Sequence, residues 1–146
     1  MDLAERATRT EAVLMRYRDR PFAWSGANCI RLARAQASAL GHDVPPVPRF
    51  RSSLGAKKAL ARRGAASVTE LLDQFLPRLQ APAFMLLGDL CVLRGDPAGN
   101  DAGLEAVCVA DGHGNLFGWH DDKPEGLAAI KFAQADITAA YGLGRN

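Results

Sequence analysis

Apolar residues recur at helical spacing through the first half of the chain and gather into short runs in the second. Over residues 3–18, Leu3, Ala7, Val13, Leu14 and Tyr17 give a rough apolar face, the pattern of an amphipathic helix. Arg18 to Pro21 ends it, because the residue before a proline is steered away from helical dihedrals. Asn28 stands directly ahead of a second periodic run, Cys29 to Leu40. Its side-chain oxygen suits it to accept from an early unpaired helix N–H. Gly41 follows as a left-handed C-cap. Pro45, Pro46 and Pro48 then exclude helix and central strand, so 42–48 reads as an extended surface loop. A short helix is expected near Leu54 to Arg63, closed by Gly64. Ser67-Val68-Thr69-Glu70 fits a capping box, in which serine and glutamate each satisfy a backbone donor of the same turn. The helix it opens carries Leu71, Leu72, Phe75 and Leu76 and stops near Pro77.

From Gly88 onward the period changes. Leu90 to Leu93 reads as a buried strand, Asp96 to Gly103 as a turn, and Leu104 to Ala110 as a second strand. Asp111-Gly112-His113-Gly114-Asn115 is a hairpin signal. Leu116 to Trp119 then pairs as a third strand, and Leu127 to Phe132 forms a fourth. Gln134 to Tyr141 fits either a short helix or a last edge strand. The expected architecture is α+β in one domain over 1–146. Its helical half covers about 1–80 and its sheet half about 85–146.

Composition narrows the classes. A hydrophobic content of 48% with 23% charged residues describes an ordinary folded protein. The net charge of +2 is too small to point to nucleic acid. Arg62-Arg63, with Lys57 and Lys58 nearby, reads as the wet face of a helix. No apolar run reaches the length of a membrane span. Asp2 and Glu5 among arginines do not make a secretory signal. The three cysteines, Cys29, Cys91 and Cys108, are odd in number and lack a Cys-x-x-Cys pair, so no disulfide framework is expected. Cys91 and Cys108 lie in apolar runs and read as buried core thiols.

Cys29 carries the chemistry. It sits in the first turn of a helix, where the dipole favours a thiolate. A lone cysteine at a helix start is more often a small buried hydrophobe than a nucleophile. His42 follows the nucleophile helix, His113 occupies a hairpin tip, and His120 ends a strand beside Trp119 ahead of Asp121-Asp122. Cys108, His113, His120 and Asp122 lack the short paired spacing of a zinc site, so no metal is expected. No glycine-rich phosphate loop or nucleophile-elbow serine is present, and no cofactor is expected.

The order of these elements, together with Pro21-Phe22-Ala23-Trp24-Ser25-Gly26-Ala27-Asn28-Cys29 and Gly88-Asp89-Leu90, resembles the NlpC-like branch of the papain-like cysteine peptidases. The chain from about Glu11 to Tyr141 is closer still to an uncharacterised family of bacteriophage and prophage tail modules, a divergent relative of that branch. Pro48-Arg49-Phe50-Arg51-Ser52 and the late Tyr141 belong to this likeness. Asn28 stands where aspartate is usual in that family.

The resemblance implies a papain-like NlpC-type fold, with N-terminal helices packed on a small C-terminal antiparallel sheet and Cys29 in the nucleophile position. It also implies a histidine opening the second strand, where this chain has Gly103, Leu104 and Glu105. Glu105 is a poor substitute, because a carboxylate matches a thiol badly as a base. His120 is the candidate catalytic imidazole, at the orienting position or as an unexpected base. The expected binding residues are Trp24, Asn28, Arg49, Phe50 and Arg51. For Phe50 two readings stand, an exposed interface anchor between two arginines and a ring tucked into the core.

The functional expectation is a structural or assembly component of a phage tail tip, in the baseplate or hub region. In that reading it is a pseudoenzyme partnered by other tail-tip or hub proteins, assembled in the bacterial cytoplasm and carried in the virion. The alternative is an active cell-wall peptidoglycan endopeptidase using Cys29.

Overall fold

The computed structural model describes residues 1–99 and 103–144. The helices are α1 (Leu3–Tyr17), α2 (Cys29–Ala39), α3 (Ser53–Arg62) and α4 (Val68–Asp73). The strands are β1 (Leu90–Leu93), β2 (Ala106–Ala110), β3 (Asn115–His120), β4 (Lys123–Lys131) and β5 (Ile137–Tyr141). Single 3₁₀ turns cover Pro82–Phe84 and Phe132–Gln134. Of the expected turn Asp96 to Gly103, residues 100–102 lie outside the described residues. Among the described residues no helix is long and apolar enough to cross a membrane.

Local capping explains why the helices begin and end where they do. Asp2, Asn28, Ser52 and Ser67 each accept from a backbone N–H in the first turn of their helix. Beyond α2, Gly41 takes φ +92°. His42 N–H then reaches Ala37 C=O and Gly41 N–H reaches Ser38 C=O, the paired bonds of a Schellman closure. Gly64, at φ +74°, closes α3 in the same way.

Two helices depart from the sequence reading. α4 ends at Asp73 instead of running on through Phe75 and Leu76. The chain tightens there through Phe75 N–H and Leu76 N–H, which both bond to Leu72 C=O. Glu70 is exposed, and the carboxylate that serves Val68 N–H and Thr69 N–H is Glu105. In α1, Leu3 is 65% exposed. The buried stripe is Arg6, Thr10, Val13 and Tyr17, so half of the face turned inward is polar.

The five strands form one antiparallel sheet in the order β4-β3-β2-β1-β5. The tail is therefore an edge strand, and it pairs with β1 instead of its chain neighbour β4. Strand alternation separates two apolar faces. Leu90, Val92, Val107 and Val109 pack with Leu32, Ala33 and Ala37 of α2 in the main core. Cys91, Cys108, Ala110, Leu116 and Ala140 form a second cluster, with Leu79, Met85 and Phe132 packed against it. Cys91 and Cys108 are directly opposed, fully buried and reduced. The hydrogen bond with the Cys91 thiol, together with burial, pushes the Cys108 thiol well above its ordinary pKa. Both cysteines are core thiols.

Where α1, α2 and the start of β1 meet, the interior is polar. Asp89 is fully buried and 3.0 Å from Arg6 Nη2. Its carboxylate also accepts from Leu86 N–H at 2.8 Å and Leu143 N–H at 2.9 Å. Arg6 donates onward to the Leu87 and Leu143 carbonyls. Gln36 Nε2 donates to Thr10 Oγ1 and to the Gly88 carbonyl. Gly88, at φ +90°, has no room for a side chain, because a Cβ there would lie 2.6 Å from Thr10 Oγ1. The Gly-Asp-Leu motif thus opens β1 by tying α1 and the C-terminal segment to the Asp89 carboxylate and α2 to the Gly88 carbonyl.

Candidate functional site

The segment ahead of Cys29 is a folded loop tied together by one side chain. Asn28 is 1% exposed. Its Oδ1 accepts from Arg31 N–H at 3.1 Å and caps α2. Its Nδ2 donates to Gly26 C=O at 3.1 Å and Trp24 C=O at 3.2 Å, with Ala23 C=O at 3.5 Å. Ala23 N–H closes the loop onto Ala27 C=O at 2.7 Å. An aspartate could cap the helix but would turn a carboxylate toward the same carbonyls. Asn28→Asp is accordingly expected to lower stability by about 1–3 kcal/mol, read as a shift in the urea unfolding midpoint. The size of that loss depends on the amide donor, since aspartate and asparagine cap about equally well.

With the loop fixed, the half-buried Cys29 opens into a cleft of about 430 Å³ between the head of α2 and the sheet. Phe22, Trp24 and Trp119 supply aromatic wall, and Glu105, His120 and Asp121 supply polar wall. The rings meet edge to face. Phe22 lies 4.9 Å from Trp24 and 5.9 Å from Trp119 between centroids. Trp119 is held by Nε1–H donating to Arg20 C=O at 2.9 Å. Cys29 Sγ lies 4.0 Å from the carbonyl oxygen of Glu105.

Glu105 occupies the approach to β2, the place where the family resemblance puts the base. Its carboxylate is turned toward α4. There Oε1 accepts from Val68 N–H at 2.9 Å, while Oε2 accepts from Thr69 N–H at 3.2 Å and the Thr69 hydroxyl at 2.7 Å. A carboxylate in this position complements the positive end of the helix, so Glu105 serves as a structural anion. The chemistry available beside Cys29 at this point of β2 is that of backbone carbonyl and aliphatic side chain.

The three imidazoles have separate surroundings. His42 Nε2 accepts from Gly144 N–H at 3.0 Å. His113 is exposed at the β2–β3 hairpin tip. Its backbone N–H donates to Asp111, whose carboxylate also accepts from Asn115. These bonds outweigh desolvation and hold Asp111 below its ordinary pKa. His120 lines the Cys29 cleft from the end of β3. Its Nδ1 accepts from Asp122 N–H at 3.1 Å, and its side chain is 49% exposed. Among the described residues no cluster of three His, Cys, Asp or Glu side chains is placed to share a metal ion.

The fold thus brings Cys29, Trp24 and His120 to one cleft, and Asn28 supports it from beneath. Phe50 is buried, with its ring 6.3 Å from that of Trp24. Of the two readings left open for it, the structure selects the core. Arg49 and Arg51 are exposed on either side and do not line the cleft. Phe22 and Trp119 join the site without having been singled out from the sequence. Their only signal there was aromaticity close to Cys29 and His120.

A family model described as a domain of unknown function (DUF6950) matches residues 1–142. Among solved structures, NlpC1 from Trichomonas vaginalis superposes with a TM-score of 0.60 at 13% identity, over 98% of this chain and 45% of its own. NlpC2 from the same organism superposes with a TM-score of 0.59 at 13% identity, over 96% of this chain and 47% of its own. The chain therefore spans about half the length of these two proteins. The likeness is one of fold, an α+β domain of NlpC type. No curated protein matches the chain in sequence.

Proposed function

The chain belongs to the family described as a domain of unknown function (DUF6950), and from that premise we propose that it is a structural or assembly component of a bacteriophage or prophage tail tip, built on an NlpC-like fold whose cleft binds without cutting. The tail placement rests on the ordered motifs around Trp24 to Cys29, Pro48 to Ser52, Gly88 to Leu90 and Tyr141. Its partners in this reading are tail-hub proteins, and it is assembled in the cytoplasm and carried in the virion. One observation carries the non-hydrolytic part, namely that Glu105 stands at the approach to β2 with its carboxylate bound to α4. A cysteine hydrolase needs an imidazole to take the thiol proton, and neither Leu104, Glu105 nor Ala106 can supply one.

A second reading has its own support. Cys29 and His120 line the same cleft, so a peptidoglycan endopeptidase with Cys29 as nucleophile and His120 as base is the alternative. The two are separated by incubating purified protein with peptidoglycan and comparing released fragments from the native chain, Cys29→Ala and His120→Ala. Equal background release from all three, with co-purification of a tail-hub protein, is the expected result. Release by the native chain that both substitutions abolish would establish the hydrolase.

A further inference from the structure

A second cavity, sharing no lining residue with the Cys29 cleft, lies between α1, α2 and the proline loop. It measures about 410 Å³, and Arg16, Tyr17, Arg31, Arg34 and Ser38 face it. No aspartate or glutamate lines it. Among the described residues Arg16, Arg31 and Arg34 form no ion pair with a carboxylate. Arg31 Nε is buried and meets no hydrogen-bond acceptor among them. Arg16 and Arg20 both stack on the Tyr17 ring, at 5.1 and 5.3 Å from its centroid, so a fourth guanidinium stands at the edge.

Such an arrangement is unfavourable by itself. Like charges repel, and a buried donor without an acceptor carries its desolvation cost uncompensated. Elsewhere in this protein a buried arginine is fully matched, as Arg6 is by Asp89 and two carbonyls. The sequence around the cavity strengthens the contrast. Residues 20–69 hold nine Lys and Arg against a single acid, Asp43. The positive field of that half would draw a multiply charged anion toward the cavity.

We propose that this cavity is a binding site for a phosphate-bearing ligand with two or more negative charges. Guanidinium groups recognise phosphate through paired N–H donors. Arg16, Arg31 and Arg34 line the cavity with such groups, and Ser38 lines it beside them. A monovalent carboxylate would leave most of the positive charge unmatched. The site is independent of the reading given above for the Cys29 cleft.

The test is calorimetric titration of the whole chain with inorganic pyrophosphate at constant ionic strength. The expected result is saturable binding of one pyrophosphate, weakened about tenfold or more in Arg31→Gln and in Arg34→Gln. The double variant Lys58→Gln/Arg62→Gln removes two exposed charges of α3 and should retain the native affinity. Melting without ligand checks that each variant folds. Should Arg31→Gln fail to fold, the exposed Arg16→Gln carries the same expectation. Long-chain polyphosphate at equal phosphate concentration separates the sources. Tighter binding per phosphate marks a polymer-borne ligand, and equal binding a free one. Absence of binding at matched ionic strength, or equal weakening by the α3 double variant, would overturn the proposal.

Discussion

Asp89→Leu is expected to lower stability by about 3–5 kcal/mol, the range for breaking a buried ion pair from one side. Against the roughly 5–15 kcal/mol that holds a typical domain together, that loss removes much of the margin. The cause is what the substitution leaves behind. The Arg6 guanidinium, 5% exposed, would keep its two carbonyl partners and lose its counter-charge. Leu86 N–H and Leu143 N–H would lose their acceptor at the same time. Urea unfolding followed by circular dichroism measures the effect. Adding Arg6→Met to Asp89→Leu should recover part of the loss, because replacing both members of a buried pair costs far less than orphaning one. If the double variant is as unstable as the sum of the two single ones, the pair is not coupled and this account of the Gly-Asp-Leu motif fails.

Tyr141→Ala is expected to cost about 3–5 kcal/mol, as for other buried aromatic rings. The ring is fully buried at the end of β5. Its hydroxyl lies 2.9 Å from Asp73 Oδ1 and 3.1 Å from the Thr69 carbonyl, so it joins the edge strand to α4. Tyr141→Phe keeps the ring and gives up only the hydrogen bond, a loss of about 1–2 kcal/mol. The two variants also differ from the native chain in alkaline solution. Burial, then the Asp73 carboxylate, pushes the phenol well above its ordinary pKa. An unfolded tyrosine ionises near pH 10, while the folded one stays neutral. The stability owed to the neutral phenol is therefore complete below about pH 10 and declines as pH rises beyond it. Stability of the native chain should fall more steeply than that of Tyr141→Phe between about pH 10 and 11.5. Parallel curves would show that the hydroxyl is not held as described.

The Arg6–Asp89 pair marks a limit of sequence reading. Arg6 falls in a helix whose apolar periodicity suggested Leu3 and Ala7 as inward residues, yet Leu3 is largely exposed and Arg6 is buried. A charge turned into the core cannot be recognised until its counter-charge, 83 residues away, is brought beside it. Glu105 is a comparable case. As an isolated acid near the expected base position it could be weighed only as a weak substitute for histidine. Its bonds to Val68 and Thr69 assign it to α4. Phe50 shows the same limit from the other side, since an aromatic between two arginines fits an interface as well as a core until its neighbours are known.

The features legible in the amino-acid order are local ones. Asn28, Ser67, Gly41, Gly64 and the 111–115 turn act on backbone groups a few residues away, so their chemistry marked helix starts, helix ends and the hairpin correctly. The apolar run of β1, the alternation of β2 and the turn ahead of β3 are equally local, and strands were expected at β1 to β4. Tertiary structure decided the rest, because the deciding interactions join residues far apart in the chain. It set β5 against β1 and brought Cys29 and His120 to one cleft. It also turned Glu105 toward α4 and gathered Arg16, Arg31 and Arg34 around a common cavity.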